Sequence, residues 1–173
     1  DYVAWFCEHV DLPAKLEPAQ VFELFRRASF RPEILGAAAD ALGFDFALKA
    51  ADVGARFAQA VENQIAASTS ETVRVLHSLT PLQSAVLRVL AVAGADYAPF
   101  EAETLARCQR VLKAIAPKIR IVADVSNVQQ ALAALQEKSL VWRAARGVYA
   151  LEDSSLADVM ADAGLLKVVS GRG

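Results

Sequence analysis

Few residues in this 173-residue chain have the types and spacing that do chemistry. His9 and His77 stand alone, and Cys7 and Cys108 lie far apart, so no zinc-ligand spacing is present. The chain carries neither a Gly-x-Ser-x-Gly elbow nor a Gly-x-x-x-x-Gly-Lys-Ser/Thr phosphate loop. Glu101 and Glu103 fall two apart in an early helical turn, where carboxylates complement the helix dipole rather than do acid–base work. The sequence therefore predicts no catalytic residue, no metal site and no resident cofactor in this chain. What remains is binding chemistry. Asn127 and Gln130 fall on the outer face of a predicted helix, and their amides can read adenine edges bidentately. Lys138 at that helix's end, and Arg143 and Arg146 near a hairpin tip, are cations that can meet phosphates or a minor groove. The competing reading of the arginine pair is a solvated hairpin end that resists edge pairing. Arg31 precedes Pro32 at a predicted helix start, where a fixed charge beside unpaired N–H groups favours an anion. An ion pair with Glu33, or plain solvation, is the alternative.

The element that must position most of these residues spans 126–151. Ser126 is the predicted N-cap. Val128, Ala131, Leu132 and Leu135 recur at helical spacing, which makes one apolar face. The period becomes two after Ser139, with Val141, Arg143 and Ala145 on one side and Leu140, Trp142 and Ala144 on the other. Gly147 turns the chain, and Val148–Leu151 return as a second strand. Trp142 and Tyr149 are expected to stack across the hairpin, as core packing in preference to a base-stacking platform. A packed helix feeding a hairpin is the pattern of the recognition helix and wing of a winged helix-turn-helix. That architecture serves DNA, RNA and protein partners alike. The helix's outer face, Asn127, Gln130, Ala133, Ala134 and Glu137, carries an acid where DNA would call for a cation.

Upstream, Tyr2, Trp5, Phe6 and Val10 predict a first helix. Pro18 opens a second, with Val21, Leu24 and Phe25 inward, and Pro32 opens a third that Gly43 closes. Phe44 and Phe46 are expected to plug the core. A long helix at 48–67 meets a weak break at Ser68–Ser70, and Val73–Leu79 resume the pattern. Thr80 and Pro81 read as an N-cap and first helical residue. A helix at 101–115 follows. Residues 118–122 alternate, as either a short strand on the wing or an irregular link. Asp153 is predicted to cap a last helix, and the tail to fray. The predicted fold is mainly α: a helical bundle over 1–79, a winged-helix domain with a small β-hairpin over 80–163, and a tail over 164–173.

The net charge of −2 hides an asymmetry. Residues 1–79 carry seven Lys/Arg against eleven Asp/Glu, whereas residues 80–152 carry nine against six. That mild basicity permits an anionic partner and falls short of a dedicated nucleic-acid footprint. Mean hydropathy is +0.30, raised by alanine, and no run reaches the roughly 18 apolar residues of a membrane span. A protein without a membrane partner is expected. Free, buried thiols in a reducing cytoplasm fit the two cysteines better than a disulfide. The start at Asp1 suggests an excised piece of a longer protein, or else an exported, processed chain.

The order of elements, together with Val21–Leu35 (Val-Phe-Glu-Leu-Phe-Arg-Arg-Ala-Ser-Phe-Arg-Pro-Glu-Ile-Leu) and the closing Leu140–Arg143 and Gly147–Asp153, resembles the lid subdomain and winged-helix domain of AAA-type, archaeal and origin-recognition-like P-loop ATPases. The resemblance spans most of residues 1–160. It implies that Arg31 is the lid arginine that senses the nucleotide γ-phosphate. It also implies that ATP and magnesium are held by an upstream P-loop core, which would be this chain's partner. Nucleotide-dependent motion of the lid would then be passed to a winged helix that binds DNA or protein. A winged-helix transcription regulator, or an interaction module that docks a partner or a second copy, is the alternative without ATPase activity.

Overall fold

The computed structural model describes residues 2–44 and 47–170. It is mainly helical, and it divides into two compact units, Asp1–Glu71 and Thr72–Gly173.

The first unit holds α1 (Tyr2–His9), α2 (Pro18–Arg27), α3 (Pro32–Gly43) and most of α4 (Val53–His77). Proline opens both α2 and α3, its missing N–H falling where no intrahelical acceptor exists. The core gathers Val3, Phe6, Val21, Leu24, Leu35, Ala38, Val53, Phe57 and Val61. Ser68-Thr69-Ser70 is no break: α4 runs through it unbroken. Three serine and threonine residues in a row weaken a helix by tenths of a kcal/mol each (about 0.5) and do not end it. Phe44 is 79% exposed and plugs nothing; α3 ends just before it. Phe46 lies outside the described residues. Trp5 is also largely exposed, so α1 buries Val3 and Phe6 instead.

The second unit holds the end of α4, α5 (Pro81–Ala93), α6 (Ala102–Ile115), α7 (Val125–Glu137), β1 (Val141–Ala145), β2 (Val148–Leu151), α8 (Leu156–Asp162) and α9 (Lys167–Ser170). Its core runs from Leu76 through Leu82, Val86, Leu90, Leu112, Val128, Leu132 and Leu135 to Tyr149, Leu156 and Met160. Thr80 forms a full capping box with Gln83 ahead of Pro81. The N-cap of α7 is Asp124, not Ser126: its carboxylate accepts from the Asn127 backbone N–H at 2.8 Å, and Ser126 sits inside the helix. Residues 118–122 form the irregular link and not a third strand. β1 and β2 pair antiparallel around a two-residue turn, in which Gly147 takes φ +78°.

Two parts of the hairpin depart from the simple alternation. A bulge between Arg143 and Ala145 shifts the register, so Ala145 faces Val148. Trp142 pairs with Ala150 and Tyr149 with Arg143, which puts the two rings on opposite faces. Tyr149 is buried in the core, while Trp142 stands 47% exposed and stacks on nothing across the hairpin. The tail also differs from expectation. Leu165, Leu166 and Val169 pack against the core, and Arg88 of α5 donates to the Leu165 carbonyl at 3.0 Å.

Candidate functional site

Arg31 belongs to the first unit. It is the N-cap residue of α3, with φ −94° and ψ 107°, and no side chain caps that helix. Its Nε donates to the Ala28 carbonyl at 3.2 Å and a terminal nitrogen donates to Ser68 Oγ at 3.0 Å. The guanidinium is thus held across the α2–α3 turn onto α4, rather than paired with Glu33. Tyr2 lies nearby, its hydroxyl donating to the Pro32 carbonyl at 3.3 Å. Burial, with Glu33 second, raises the Tyr2 pKa.

The other named residues lie in the second unit, and the fold separates them into groups. Asn127 and Gln130 share the N-terminal half of α7 and line a depression of about 470 Å³ with Thr80, Gln83, Arg120 and Asp124. Most of its polar groups are already engaged. Thr80 and Gln83 bond each other. The Asn127 amide donates to the Val122 carbonyl at 3.0 Å and to Asp124 at 3.3 Å, so it braces the start of α7 instead of pointing at a partner. Arg120 and Gln130 are the groups there without a hydrogen-bond partner among the described residues, and both are exposed or nearly so. Sequence reasoning did not single out Arg120. Its only signal was the alternation Ile119-Arg120-Ile121, which fits a strand as well as a link. Gln109 was missed as well: its side-chain Oε1 accepts the Ala123 N–H at 2.7 Å and fixes the link to α6.

Arg143 and Arg146 sit together at the hairpin tip, both exposed. The Arg143 Nε donates to the Ala145 carbonyl at 3.2 Å, which curls the side chain over the bulge. Lys138 follows the far end of α7, and Ser139, Leu140 and the five residues of β1 separate it from Arg146, the strand itself accounting for most of that span. At roughly 3.3 Å of rise per residue, that is about 16 Å of strand. The exposed face of α7 between these groups shows Gln129, Gln130, Ala133 and Glu137, with no cation.

Among the described residues no group of three His, Cys, Asp or Glu side chains could hold a metal. His9 Nδ1 lies 2.8 Å from the Trp5 carbonyl and its ring stacks on Trp5 at 5.1 Å, a surface contact within one helix. Both cysteines are free. Cys108 is buried, and burial pushes its thiol up to about 11. Cys7 is also raised, by burial first and then by Glu17 and Glu8, so neither thiol is an activated nucleophile. Among the described residues no helix is long and apolar enough to cross a membrane. The chain matches no family model, no curated protein and no solved structure.

Proposed function

We propose that this chain is a binding and signalling portion of a P-loop ATPase, with a nucleotide-sensing lid in its first unit and a winged helix in its second. The observation that carries the reading is the order and packing of the second unit. Helices α5, α6 and α7 close on one core, and α7 runs directly into a hairpin whose tip presents Arg143 and Arg146. The anionic partner that fits is duplex DNA, met by the hairpin arginines, with Arg120 and Lys138 as outlying phosphate contacts. Gln130, exposed on α7, would meet a base edge.

The lid reading draws on Arg31 at the start of a helix whose first turn has no side-chain cap. The residues present fit a single phosphate contact: Arg31 would exchange the Ser68 hydroxyl for a phosphate oxygen. ATP and magnesium would be held by the upstream core. A protein partner is the second reading, favoured by the cation-free face of α7 and by Ile121, Val122 and Val125, all exposed beside it.

Fluorescence anisotropy of the full chain with labelled duplex DNA at low and moderate salt tests the first reading. Binding should weaken with salt. The Arg143→Ala, Arg146→Ala double variant should flatten the log–log slope by about 2. Binding that ignores salt, or no binding, would leave the protein-partner reading. A parent reading frame without a phosphate loop in the roughly 250 residues upstream would end the ATPase reading.

A further inference from the structure

The end of α2 and the turn after it read Arg26-Arg27-Ala28-Ser29-Phe30. This is the one place in the sequence where two arginines adjoin. Ser29 is exposed in the turn, and so are Arg26, Arg27 and Phe30 around it. The two arginine side chains are each more than half exposed, and they pair with Glu23 and Glu62 at 2.8 Å. Such pairs in water are worth little and give way to other carboxylates.

A serine with arginines two and three positions before it and an apolar residue directly after it suits a protein kinase whose substrate cleft is acidic. Carboxylates of the cleft take the guanidinium groups, and an apolar pocket takes the following side chain. We infer that Ser29 is a phosphorylation site for a kinase of that class. The Ser29 Oγ attacks the γ-phosphorus of the kinase-bound ATP. The Oγ–P bond forms as the bond to ADP breaks, the hydroxyl proton passes to the kinase's catalytic carboxylate, and ADP leaves.

A kinase cleft takes its substrate extended, so the last turn of α2 must open first. Opening breaks the bonds from the Ala28 N–H to the Leu24 carbonyl and from the Phe30 N–H to the Phe25 carbonyl, and it uncovers the buried Ala28. It also releases Ser29 and Phe30 from positive φ, 54° and 56°, a conformation that side chains other than glycine disfavour. Opening of this kind is a local event at a helix end. The product carries a charge of about −1.5 to −2 near neutral pH. Arg26, Arg27 and Arg31 all lie within three residues of it, and the Arg31 Nε already reaches back to the Ala28 carbonyl at 3.2 Å. On the lid reading, the new phosphate would compete with a nucleotide for Arg31. The modification site itself does not depend on that reading.

The test incubates the full chain with ATP and the catalytic subunit of cyclic-AMP-dependent protein kinase, and maps the product by tandem mass spectrometry. One phosphate per chain should appear, on Ser29, and Ser29→Ala should remove at least nine-tenths of it. The Arg26→Gln, Arg27→Gln pair should lower kcat/KM at least tenfold with the urea midpoint little changed, since both side chains are exposed. A synthetic peptide of residues 22–33 should be labelled faster than the full chain, by less than about a hundredfold, a ratio that measures the opening of α2. Hydrogen exchange at Ala28 and Phe30 should run at least tenfold faster than at Val61 in the core of α4. A labelled peptide beside an unlabelled full chain would overturn the inference. So would phosphate on another residue with Ser29 unmodified, a rate indifferent to the arginine pair, or exchange at Ala28 as slow as at Val61.

Discussion

The two units start several of their helices by different means. In the second, α5 begins with a reciprocal Thr80–Gln83 box, α7 begins with the Asp124 carboxylate, and α8 ends at Gly164 with φ +71°. In the first, α2 and α3 start on proline without a side-chain cap, and α2 ends at Ser29 and Phe30, both with positive φ, near +55°. The same closing bond recurs across the chain: Phe30 N–H to the Phe25 carbonyl, Leu140 to Leu135, and Leu165 to Met160. Only the last places glycine at the left-handed residue; Ser29 and Ser139 occupy it in the others. The cores differ as well. The second is mostly aliphatic. The first holds Phe6 and Phe57, and Tyr2 joins Phe6 to an aromatic series, Phe22–Phe30–Phe25–Tyr2–Trp5, whose members Phe22, Phe30 and Trp5 are exposed. The starts of α5 and α7 in the second unit are therefore fixed by local capping, whereas α2 and α3 in the first start without it, as α6 and α8 do.

Core truncation tests this contrast most strongly. Phe57 and Leu132 are each fully buried, one in each core. Phe57→Ala should cost about 3–5 kcal/mol and Leu132→Ala about 2–5. Hydrogen exchange resolved to peptides should show the first loosening α2–α4 and the second loosening α5–α7. If Phe57→Ala loosens α7 equally, the division into two cores is wrong.

Arg88→Met comes next. It keeps the apolar stem and removes the bonds to Ser84 and the Leu165 carbonyl. A loss of about 1.5–3 kcal/mol is expected for charge-assisted bonds, with exchange rising first in 165–169. Thr80→Ala should cost about 1 kcal/mol in urea unfolding. The matching change Glu17→Ala ahead of α2, where no side-chain cap exists, should be near neutral.

An alkaline titration separates the cores chemically. The Cys108 thiol holds its proton in the folded chain to about 11, against an ordinary 9.0. Between those values the unfolded chain binds fewer protons, so stability falls as pH rises, by at most about 1.4 kcal/mol per unit from this group. Buried Tyr97, also raised by burial, adds to the loss at the top of that window. Cys108→Ala should flatten the slope, as read from urea midpoints between pH 9 and 11. The smallest effect is expected from Ser29→Gly. It relieves left-handed strain of about 1–2 kcal/mol but loosens the unfolded chain, for a net gain under about 1 kcal/mol.

Most element boundaries were legible because they rest on near neighbours in the chain. Thr80-Pro81, Gly94, the Gly147 turn and the apolar face of α7 all act within a few residues. The cap of α7 was misplaced by two residues because Asp124 and Ser126 are both good N-caps, and the packing of Val128 and Leu132 decides where the helix must start. The candidate binding residues were legible as types but not as arrangements. The sequence offered Asn127 as a reader of bases; in the fold its amide is spent on the Val122 carbonyl and Asp124. Arg120 shares a depression with Gln130 only because the irregular link folds back beside α5 and α7.

The sequence by itself determined the helical periods, the proline starts, the hairpin and the lack of any motif for catalysis, since each depends on residue type and spacing alone. Only the tertiary structure decided which apolar side chains are covered. Tyr149 is buried and Trp142 exposed in one hairpin, Leu165 and Val169 are partly covered in an apparent tail, and Phe44 is left in solvent. Burial is a sum over neighbours distant in sequence, and no local pattern carries that sum.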